Sequence, residues 1–330
     1  MAQALYDPRE GYYTRHIRRI GRGGDFATSA SLGDRLARAI AGWILAERQV
    51  HGGGLDQLIE IGPGDGSLAA GVLRELFRRD RWRPWRRPRW QLHLVDVPGP
   101  LRDLQRQRLA RHRRVHWHDH PASALQATDG QALIWSNELI DAFPASVLRW
   151  DRELAGWQEL WVETDAHGLR EQWRPPDPAV SKATPSAMRP QDWPGGQPPD
   201  GQRIEVHERA RAWLGGWLPR WRRGSLLTID YGDVFPAVYH RRPRGTLRAY
   251  AHQQRLEGGA IYHRMGRQDL TADVNFTDLQ AWTEAAGLIT CGLSTQAEFT
   301  GRFLDQPAPP PTLQAEQAFR ALWQRRQTSG

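Results

Sequence analysis

The first clear apolar segment of the chain is short and β-compatible, and it ends in a glycine-rich turn. Residues 55–61 form the apolar run, and residues 62–67 read Gly-Pro-Gly-Asp-Gly-Ser. Beyond the turn, Leu68, Val72 and Leu76 recur at the spacing of one helix face. The pattern therefore predicts a strand, a tight turn and an amphipathic helix.

The same alternation of strand-like and helix-like segments continues downstream. The predicted elements are a strand at 90–95, a helix at 101–110, and strands at 115–117 and 132–136. Strands that alternate with helices form a parallel sheet covered on both faces. The predicted fold class is therefore α/β, with a Rossmann-like sheet.

The second half of the chain is divided by residues 175–201, which are rich in Pro, Gly, Gln and Ser and show no apolar period. This composition predicts a flexible insertion without packed elements, which interrupts the domain without ending it. The elements predicted after it are a helix at 205–218, a strand at 225–229, a helix that Thr277 caps and Gly287 closes, a strand at 288–293 and a terminal helix at 313–327.

Composition limits the classes of protein to which the chain can belong. Its 330 residues are 39% apolar, which suits one elaborated globular domain. The sequence contains no run of about 18 apolar residues and no apolar stretch behind a basic start, so neither a membrane span nor a signal peptide is expected. Cys291 is the only cysteine, which excludes an intramolecular disulfide and favours a reducing compartment.

The net charge is +8, and arginine carries nearly all of the positive charge. The densest run, residues 78–89, alternates with Trp82, Trp85 and prolines. We interpret this run as a solvated surface loop, with a patch for RNA or for an acidic partner as the alternative. The histidines at 112, 116, 118 and 120 lie among arginines without a geometry that would align them, so no metal site is predicted.

The glycine-rich turn predicts a ligand site, because ligands of open parallel sheets lie at the carboxyl ends of the strands. Its three alternating glycines let the backbone approach a ligand closely. In a dinucleotide-binding turn the third glycine would stand where this chain has Ser67. Glu60 would repel a diphosphate but attract the ammonium group of a methionine moiety. Asp96, which ends the second strand, is placed to accept hydrogen bonds from two ribose hydroxyls.

The fourth predicted strand ends in Asn137 and Glu138, with Asp141 close behind. An amide and carboxylates at this point would face the methyl group of a bound S-adenosylmethionine and orient an incoming amine or guanidinium. An arginine acceptor, with a pKa of about 13.8, needs its charge localised and a lone pair aimed at the methyl group. His252 is a further candidate, as a base. Turn and capping chemistry is the alternative for Asn137 and Glu138, and packing or capping is the alternative for His252.

Motifs in the same order along most of the chain are similar to those of the MidA family, the mitochondrial complex I assembly methyltransferases and their bacterial relatives. The motifs that carry the resemblance are Gly11-Tyr12-Tyr13, Gly24-Asp25-Phe26 with Thr28-Ser29, residues 60–67, residues 137–138 with 141–144, Asp230-Tyr231-Gly232, residues 245–252 and residues 269–276. The resemblance implies a class I methyltransferase fold, S-adenosylmethionine as the cofactor and methylation of an arginine on a partner protein. The chain differs from the family pattern in two places. After Thr28-Ser29 the family continues with Pro-Glu-Ile and later Phe-Gly, whereas this chain has Ala30-Ser31-Leu32-Gly33, and Asp96 replaces a glutamate.

These observations define a predicted site and a predicted division of the chain. The predicted cofactor-binding residues are Gly24, Asp25, Phe26, Thr28, Ser29, Glu60, Gly62, Pro63, Gly64, Asp65, Gly66, Asp96 and Asn137. The predicted catalytic residues are Asn137, Glu138, Asp141 and His252, and the weaker candidates are Glu205, Asp230 to Gly232 and Asp269. Residues 1–50 are expected to form an N-terminal lid or cap, residues 51–174 and 202–330 the two parts of the methyltransferase domain, and residues 175–201 the insertion.

The function predicted from the sequence is arginine N-methylation of a partner protein in the cytoplasm of a bacterium, since the chain shows no mitochondrial presequence. Two other functions stay open. One is an assembly or scaffold protein that kept the fold without turnover, and the other is a methyltransferase of RNA or of a small molecule, for which residues 78–89 would be the binding element. The glycine spacing disfavours a nicotinamide dehydrogenase. The sequence predicts no membrane insertion and does not define the oligomeric state.

Overall fold

The computed structural model describes residues 1–16, 34–80, 90–97, 99–166, 168–183, 185–251, 254–304 and 317–326. The helices are α1 (Ala2–Tyr6), α2 (Asp34–Val50), α3 (Ser67–Asp80), α4 (Pro100–Arg108), α5 (Pro121–Ala127), α6 (Pro178–Lys182), α7 (Glu208–Trp217), α8 (Phe276–Ala285) and α9 (Gln296–Phe303). The strands are β1 (Gln57–Ile61), β2 (Gln91–Val95), β3 (Val115–His118), β4 (Leu133–Asn137), β5 (Ser146–Asp151), β6 (Gly156–Asp165), β7 (Gly168–Arg174), β8 (Arg203–Val206), β9 (Ser225–Asp233), β10 (Arg248–Ala251), β11 (Gln254–Leu256), β12 (Asp269–Thr271), β13 (Val274–Asn275), β14 (Leu288–Thr295) and β15 (Phe319–Arg326).

The main sheet has the strand order β14-β15-β9-β4-β1-β2-β3, with the short β13 added beside β9. Strands β1, β2, β3, β4 and β9 pair in parallel, and β15 runs antiparallel to both of its neighbours. The chain proceeds from β1 outward to β3 and then returns to the other side of β1 with β4. This reversal of strand order opens a crevice at the carboxyl ends of β1 and β4, where open α/β sheets bind ligands. The predicted α/β class and Rossmann-like sheet are confirmed.

Helices cover both faces of the main sheet. Helices α2 and α3 contribute to one apolar cluster, and α5, α7 and α8 contribute to a second one. Leu58 belongs to the first cluster and the next residue, Ile59, to the second, because successive side chains of a strand point to opposite faces. Burial on both faces explains why the strands read as continuous apolar runs. In the part of the chain that the structure describes, no helix is both long and apolar enough to span a bilayer.

Two smaller antiparallel sheets are inserted at the carboxyl edge of the main sheet. The sheet β7-β6-β5-β8 lies between β4 and α7 in the sequence, and the sheet β11-β10-β12 lies between β9 and α8. Each begins after a strand that ends at the crevice. The three-stranded sheet adds a wall to the cavity at this edge through Tyr250, Asp269 and Thr271.

The prediction that residues 175–201 contain no packed element is wrong. Helix α6 and two helical turns lie in this segment, and Val180, Ala187 and Trp193 are buried in a shared apolar cluster with Tyr239. The Trp193 indole N–H donates to the carbonyl of Ala187 at 2.8 Å. The apolar residues are spaced irregularly along the segment, so their common burial leaves no periodic signal in the sequence.

The predicted helix at 205–218 begins too early. Residues Arg203–Val206 form β8, which pairs antiparallel with β5, and the helix starts only at Glu208. The cap of α8 was also assigned to the wrong residue. The side chain of Asn275 accepts the backbone N–H of Thr277 at 3.1 Å, whereas the Thr277 hydroxyl accepts the N–H of Phe235.

The predicted terminal helix at 313–327 is wrong for the residues that the structure describes. Residues Phe319–Arg326 form β15, which lies between β9 and β14. Phe319, Ala321, Leu322 and Trp323 are all buried, because helices cover both faces of the sheet. A strand buried on both faces lacks the alternation of period two, so its apolar run resembles a helix in the sequence.

Candidate active site

A cavity at the crevice has a volume of about 750 Å³. It begins at the carboxyl ends of β1, β2 and β4 and extends to the three-stranded sheet and to the N-terminal segment, from which Tyr6 and Tyr13 line it. A cavity of this size suits a ligand of nucleoside dimensions together with a second group. Its two ends, the first at β1 and the second at the three-stranded sheet, differ in chemistry.

The turn after β1 holds its three glycines in left-handed backbone conformations, with φ of 72° at Gly62, 54° at Gly64 and 79° at Gly66. Glycine adopts this region at little cost, whereas residues with a Cβ do so rarely. A Cβ at Gly62 would also lie 2.9 Å from the Leu139 side chain. Only glycine therefore fits this turn, which leaves bare backbone along the cavity.

The side chains around the turn hold its shape. Asp65 accepts the backbone N–H of Ser67 at 2.9 Å and pairs with Arg108 at 2.9 Å. The side-chain amide of Gln105 donates to the carbonyl of Gly64 at 2.7 Å and to the carboxylate of Asp96 at 2.8 Å. The amide of Gln105 thus fixes the turn after β1 and the acidic residue after β2 in one arrangement.

Glu60 lines the cavity at the end of β1 and is only 1% exposed. Its Oε2 is buried and has no hydrogen-bond partner among the described residues. Burial, together with the neighbouring charges of Asp65 and Asp96, raises the pKa of Glu60 to about 8, while the indole N–H of Trp135 opposes this shift. A buried carboxylate oxygen without a partner is costly, so this position calls for a cation or a hydrogen-bond donor.

Asp96 follows β2 and also lines the cavity. Burial raises the pKa of Asp96 to about 6, while the hydrogen bond from Gln105 opposes this shift. Arg102 donates to the Asp96 main-chain carbonyl at 2.7 Å and pairs with Asp119 at 2.8 Å. Arg102 of α4 therefore holds the loop after β2, and this keeps the Asp96 carboxylate at the cavity wall.

The end of β4 carries a backbone conformation that is rare outside glycine. Glu138 has a φ of 53°, its backbone N–H donates to the carbonyl of Ile229 at 2.9 Å, and its Oε1 accepts the side-chain amide of Asn137 at 3.0 Å. Such conformations cost free energy and concentrate at functional sites. The turn places both side chains on the cavity wall, where the sequence predicted them.

A buried carboxylate supports the backbone behind this turn. The Oδ2 of Asp230, which is fully buried at the end of β9, accepts the backbone N–H groups of Leu139 at 3.1 Å and Ile140 at 2.7 Å, with that of Asp141 at 3.4 Å. Asp230 was a weak sequence candidate for the site. Its contacts show that it holds the turn from beneath, and it does not line the cavity.

Asp141 and Asp269 bring two buried carboxyl groups to the second end of the cavity. Asp141 accepts the Thr271 hydroxyl at 2.7 Å on one oxygen, and its other oxygen is buried without a hydrogen-bond partner in the described chain. The Tyr13 hydroxyl donates to Asp269 at 2.8 Å. Burial and then the charge of Asp141 raise the pKa of Asp269 to about 7, and burial raises the pKa of Asp141 as well.

Aromatic side chains complete the walls of the second end. They are Tyr6, Tyr13, Phe143, Trp213, Tyr231 and Tyr250. Tyr6 stacks on Tyr13 with ring centroids 5.6 Å apart, and Phe143 packs against Trp213 at 5.1 Å. Carboxylates among aromatic rings favour a cationic group, which gains from both charges and ring faces. The sequence carries no signal for Tyr6, and its only signal for Tyr13 is the place of that residue in the motif Gly11-Tyr12-Tyr13.

The structure brings most of the predicted site residues together. Those that line the cavity are Glu60, Gly62, Pro63, Gly64, Asp65, Asp96, Asn137, Glu138, Asp141 and Asp269. Gly66 lies outside the lining and closes the turn, since its N–H donates to the carbonyl of Pro63 at 2.8 Å. Glu205 also lies elsewhere, where it accepts the N–H groups of Thr246 and Leu247. The predicted residues Gly24, Asp25, Phe26, Thr28, Ser29 and His252 lie outside the described residues.

Comparison with known proteins relates this geometry to a family. Residues 39–294 match the family model described as "Putative S-adenosyl-L-methionine-dependent methyltransferase". The chain is 26% identical over 316 residues to the mitochondrial protein arginine methyltransferase NDUFAF7 homologue of Drosophila melanogaster, covering 88% of this chain and 67% of that protein. It is 26% identical to the mouse NDUFAF7 over 187 residues, which are 50% of this chain and 41% of that protein. The chain thus spans about two thirds of the first relative and under half of the second.

Two solved structures share the fold. A COG1565 superfamily member from Burkholderia thailandensis bound to S-adenosyl-homocysteine superposes with a TM-score of 0.79 at 23% identity, over 100% of this chain and 87% of that one. A native structure of a COG1565 superfamily protein from the same organism gives a TM-score of 0.77 at 24% identity. The sheet order, the glycine turn after β1 and the family match agree. The chain belongs to the Methyltransf_28 family, which includes the MidA proteins, and is a class I S-adenosylmethionine-dependent methyltransferase.

Proposed function

We propose that this methyltransferase modifies a guanidinium nitrogen of an arginine on a partner protein. The observation that carries the proposal is the second end of the cavity, where Glu138, Asp141 and Asp269 lie among aromatic rings. Relatives that are 23–26% identical to this chain are named protein arginine methyltransferases, which supports the same acceptor. A neutral acceptor would give no reason for three carboxyl groups at this end.

The residues at the first end fit S-adenosylmethionine. When bound, it supplies a methyl group on a sulfonium sulfur, and displacement by a nitrogen lone pair forms the N–C bond as the C–S bond breaks. The Glu60 oxygen without a partner would hold the ammonium group, and the bare backbone of Gly62 and Gly64 would accommodate the chain beside it. Asp96, which Gln105 fixes, would accept the ribose hydroxyls.

The residues at the second end would hold and orient the acceptor. A guanidinium presents several N–H donors in a plane, and carboxylates can bind two of them side by side. Glu138 and Asp141 would bind the guanidinium in this way and leave one nitrogen directed toward the first end. Asp269, with a pKa near 7, would accept the proton that this nitrogen loses. The acceptor keeps a single positive charge after transfer because one proton leaves as one methyl group arrives.

The cofactor half of the proposal is tested by calorimetric titration of the folded protein with S-adenosylmethionine. We expect binding that Glu60→Ala weakens at least tenfold, since the charge of the ammonium group favours the ionised form of Glu60 and would lose that partner. Absence of binding to folded protein would show that the assignment of the first end is wrong.

The acceptor half needs mass spectrometry of proteins that co-purify with the chain from its host. We expect a gain of about 14 or 28 daltons on an arginine, lost with Glu138→Gln and retained with Glu153→Gln, an exposed control on the hairpin between β5 and β6. Methylation of RNA or of a lysine would contradict the choice of acceptor. Full function of Glu138→Gln with intact cofactor binding would instead favour the scaffold alternative.

A further inference from the structure

A second cavity of about 830 Å³ lies between the inserted sheet β7-β6-β5-β8 and the residues that follow β11. We call it the basic groove. Its charged and polar lining residues are Arg170, Glu171, Arg203, Arg244, Arg255, Glu257, Tyr262 and His263. None of these residues belongs to the predicted site, and the groove shares no lining residue with the active-site cavity.

The positive charge of the basic groove exceeds its negative charge. Glu171 pairs with Arg203 at 2.9 Å and also accepts the Tyr262 hydroxyl at 3.0 Å, and Glu257 pairs with Arg255 at 2.5 Å. Each lining carboxylate is therefore matched by an arginine. Arg244 is exposed, and the described structure gives it neither an ion pair nor a hydrogen bond. The groove thus presents net positive charge to a ligand.

The arginines beside the groove are held in place before any ligand binds. The ring of Trp173 in β7 contacts two guanidinium groups, that of Arg149 at 4.4 Å and that of Arg203, which lines the groove, at 4.9 Å from the ring centroid. Stacked guanidinium groups lose less side-chain entropy when they bind an anion. On the opposite wall, Gly258 and Gly259 have open space where a Cβ would stand, which leaves backbone accessible.

One strand connects the basic groove with the acceptor end of the active site. Thr246 and Leu247 line the groove, and Tyr250 of β10, three residues beyond Leu247, lines the active-site cavity beside Asp269. An extended strand rises about 3.3 Å per residue, so the two sites are about 10 Å apart along this strand. An extended peptide that occupies both sites needs roughly three or four residues between them.

We propose that the basic groove docks an acidic segment of the protein that this enzyme methylates, with roughly three or four residues between that segment and the target arginine. The proposal rests on the proposed function, because it assigns the groove to the same substrate. A peptide with a cationic arginine beside acidic residues complements an acidic cavity next to a basic groove. An RNA strand would fit less well, since its phosphates would meet the carboxylates of the neighbouring cavity.

A binding experiment tests the groove without requiring turnover. Fluorescence anisotropy of a labelled peptide, with one arginine followed by a run of Glu and Asp, is measured against the full chain. We expect binding that weakens with salt, and a loss of at least tenfold with Arg244→Glu, which reverses an exposed charge. Arg111→Glu, an equally exposed position on the turn after α4, should change affinity by less than twofold. Equal losses in both variants, or tighter binding of a single-stranded RNA of the same length, would overturn the proposal.

Kinetics with matched substrates separates the groove from the proposed function. With the acidic-flank substrate, Arg244→Glu should raise KM about tenfold and leave kcat unchanged, because the groove acts on binding alone. Replacement of the acidic residues by Lys should restore the lost affinity in that variant. If neither substrate is methylated on arginine but Arg244→Glu still weakens peptide binding as expected, the proposed function is wrong and the docking proposal for the groove is supported. If the native enzyme methylates the acidic-flank substrate and the Lys-flank substrate equally well, the docking proposal is wrong and the proposed function is supported.

Discussion

Glu60 shows how a single residue can be poorly suited to stability and well suited to ligand binding. Its carboxyl group is 1% exposed, and one of its oxygens has no hydrogen-bond partner within the described chain. The folded protein holds a proton on this group up to about pH 8, whereas the unfolded chain loses it near the ordinary value of 4.5. The folded state therefore binds more protons than the unfolded state between these values, and the free energy of unfolding falls as pH rises through them.

Glu60→Gln should separate stability from binding. Because the amide cannot ionise, we expect the ligand-free variant to unfold at a temperature several degrees higher than the native protein at pH 8.5, with little difference at pH 5. Its affinity for S-adenosylmethionine should fall at least tenfold, since an amide does not attract an ammonium group. Thermal unfolding at the two pH values and calorimetric titration measure both effects.

The control for this prediction is Asp34→Asn, an exposed carboxylate at the start of α2. It should leave both the pH dependence and the cofactor affinity unchanged. A native protein whose stability rises between pH 5 and pH 8.5, with a rise that Glu60→Gln abolishes, would contradict the sign of the argument.

At the scale of elements, the acceptor end depends on how β4, β9 and β12 are fastened together. Asp230 at the end of β9 accepts the backbone N–H groups that follow β4, and Asp141 in that turn accepts the hydroxyl of Thr271 at the end of β12. The N–H of Ala272 also donates to the carbonyl of Asp141 at 3.1 Å. Three strands distant in the sequence thus place the carboxyl groups of one site.

Asp230→Asn tests this arrangement. The amide has nearly the same shape, but both oxygens of Asp230 accept backbone N–H groups, so in either orientation of the amide an NH₂ group faces a donor and that hydrogen bond is lost. We expect a loss of about 1–3 kcal/mol in the free energy of unfolding, from chemical denaturation. Methyl transfer should fall at least tenfold while cofactor affinity stays within about twofold, because the turn after β1 is held by Gln105 and not by Asp230.

Asp278→Asn is the matched control, because Asp278 is a second buried carboxylate that accepts a backbone N–H, that of Ser186, and it lines neither the active-site cavity nor the basic groove. It should lower stability by a similar amount. If its loss of methyl transfer equals that of Asp230→Asn, the effect reflects general destabilisation and not the position of the acceptor end.

For the whole molecule, β15 is the element that closes the main sheet. It pairs with β9 from Phe319 to Arg325 and with β14 along its other edge. Ion pairs reinforce its ends, since Arg320 binds Asp233 at 2.6 Å and Arg325 binds the buried Glu47 of α2 at 2.7 Å. The last described residues therefore form an interior strand of the sheet and join the edge strand β14 to β9.

A chain that ends after Leu304 should fail to fold cooperatively. Without β15, strand β14 loses its partner in the sheet, and the apolar residues of β9 and α9 become exposed. A chain that ends after Arg326 keeps every contact described here and should unfold like the full chain. Circular dichroism and thermal melting compare the two; a cooperative transition in the shorter chain at the temperature of the full chain would contradict the prediction.

The sequence by itself determined the features that depend on neighbouring residues. The turn after β1 needs glycines at alternate positions because of its left-handed backbone, and Glu60 and Asp96 follow from their places at strand ends. These local signals were sufficient to predict the parallel sheet and to place Glu60, Asp96, Asn137 and Glu138 at one edge of it, where they line one cavity. They also carried the family resemblance.

Tertiary structure alone decided the features that depend on distant parts of the chain. Asp269 and Asp141 line the same cavity although 128 residues separate them in the sequence, and the hydroxyl of Tyr13, in the N-terminal segment, donates to Asp269. The residues of the basic groove come from two separate insertions. Residues Phe319–Arg326 become a strand only because β9 and β14 present unpaired edges on both sides. Backbone pairing and burial between segments far apart in the sequence outweigh local propensity at these places, and they leave no periodic pattern within any one segment.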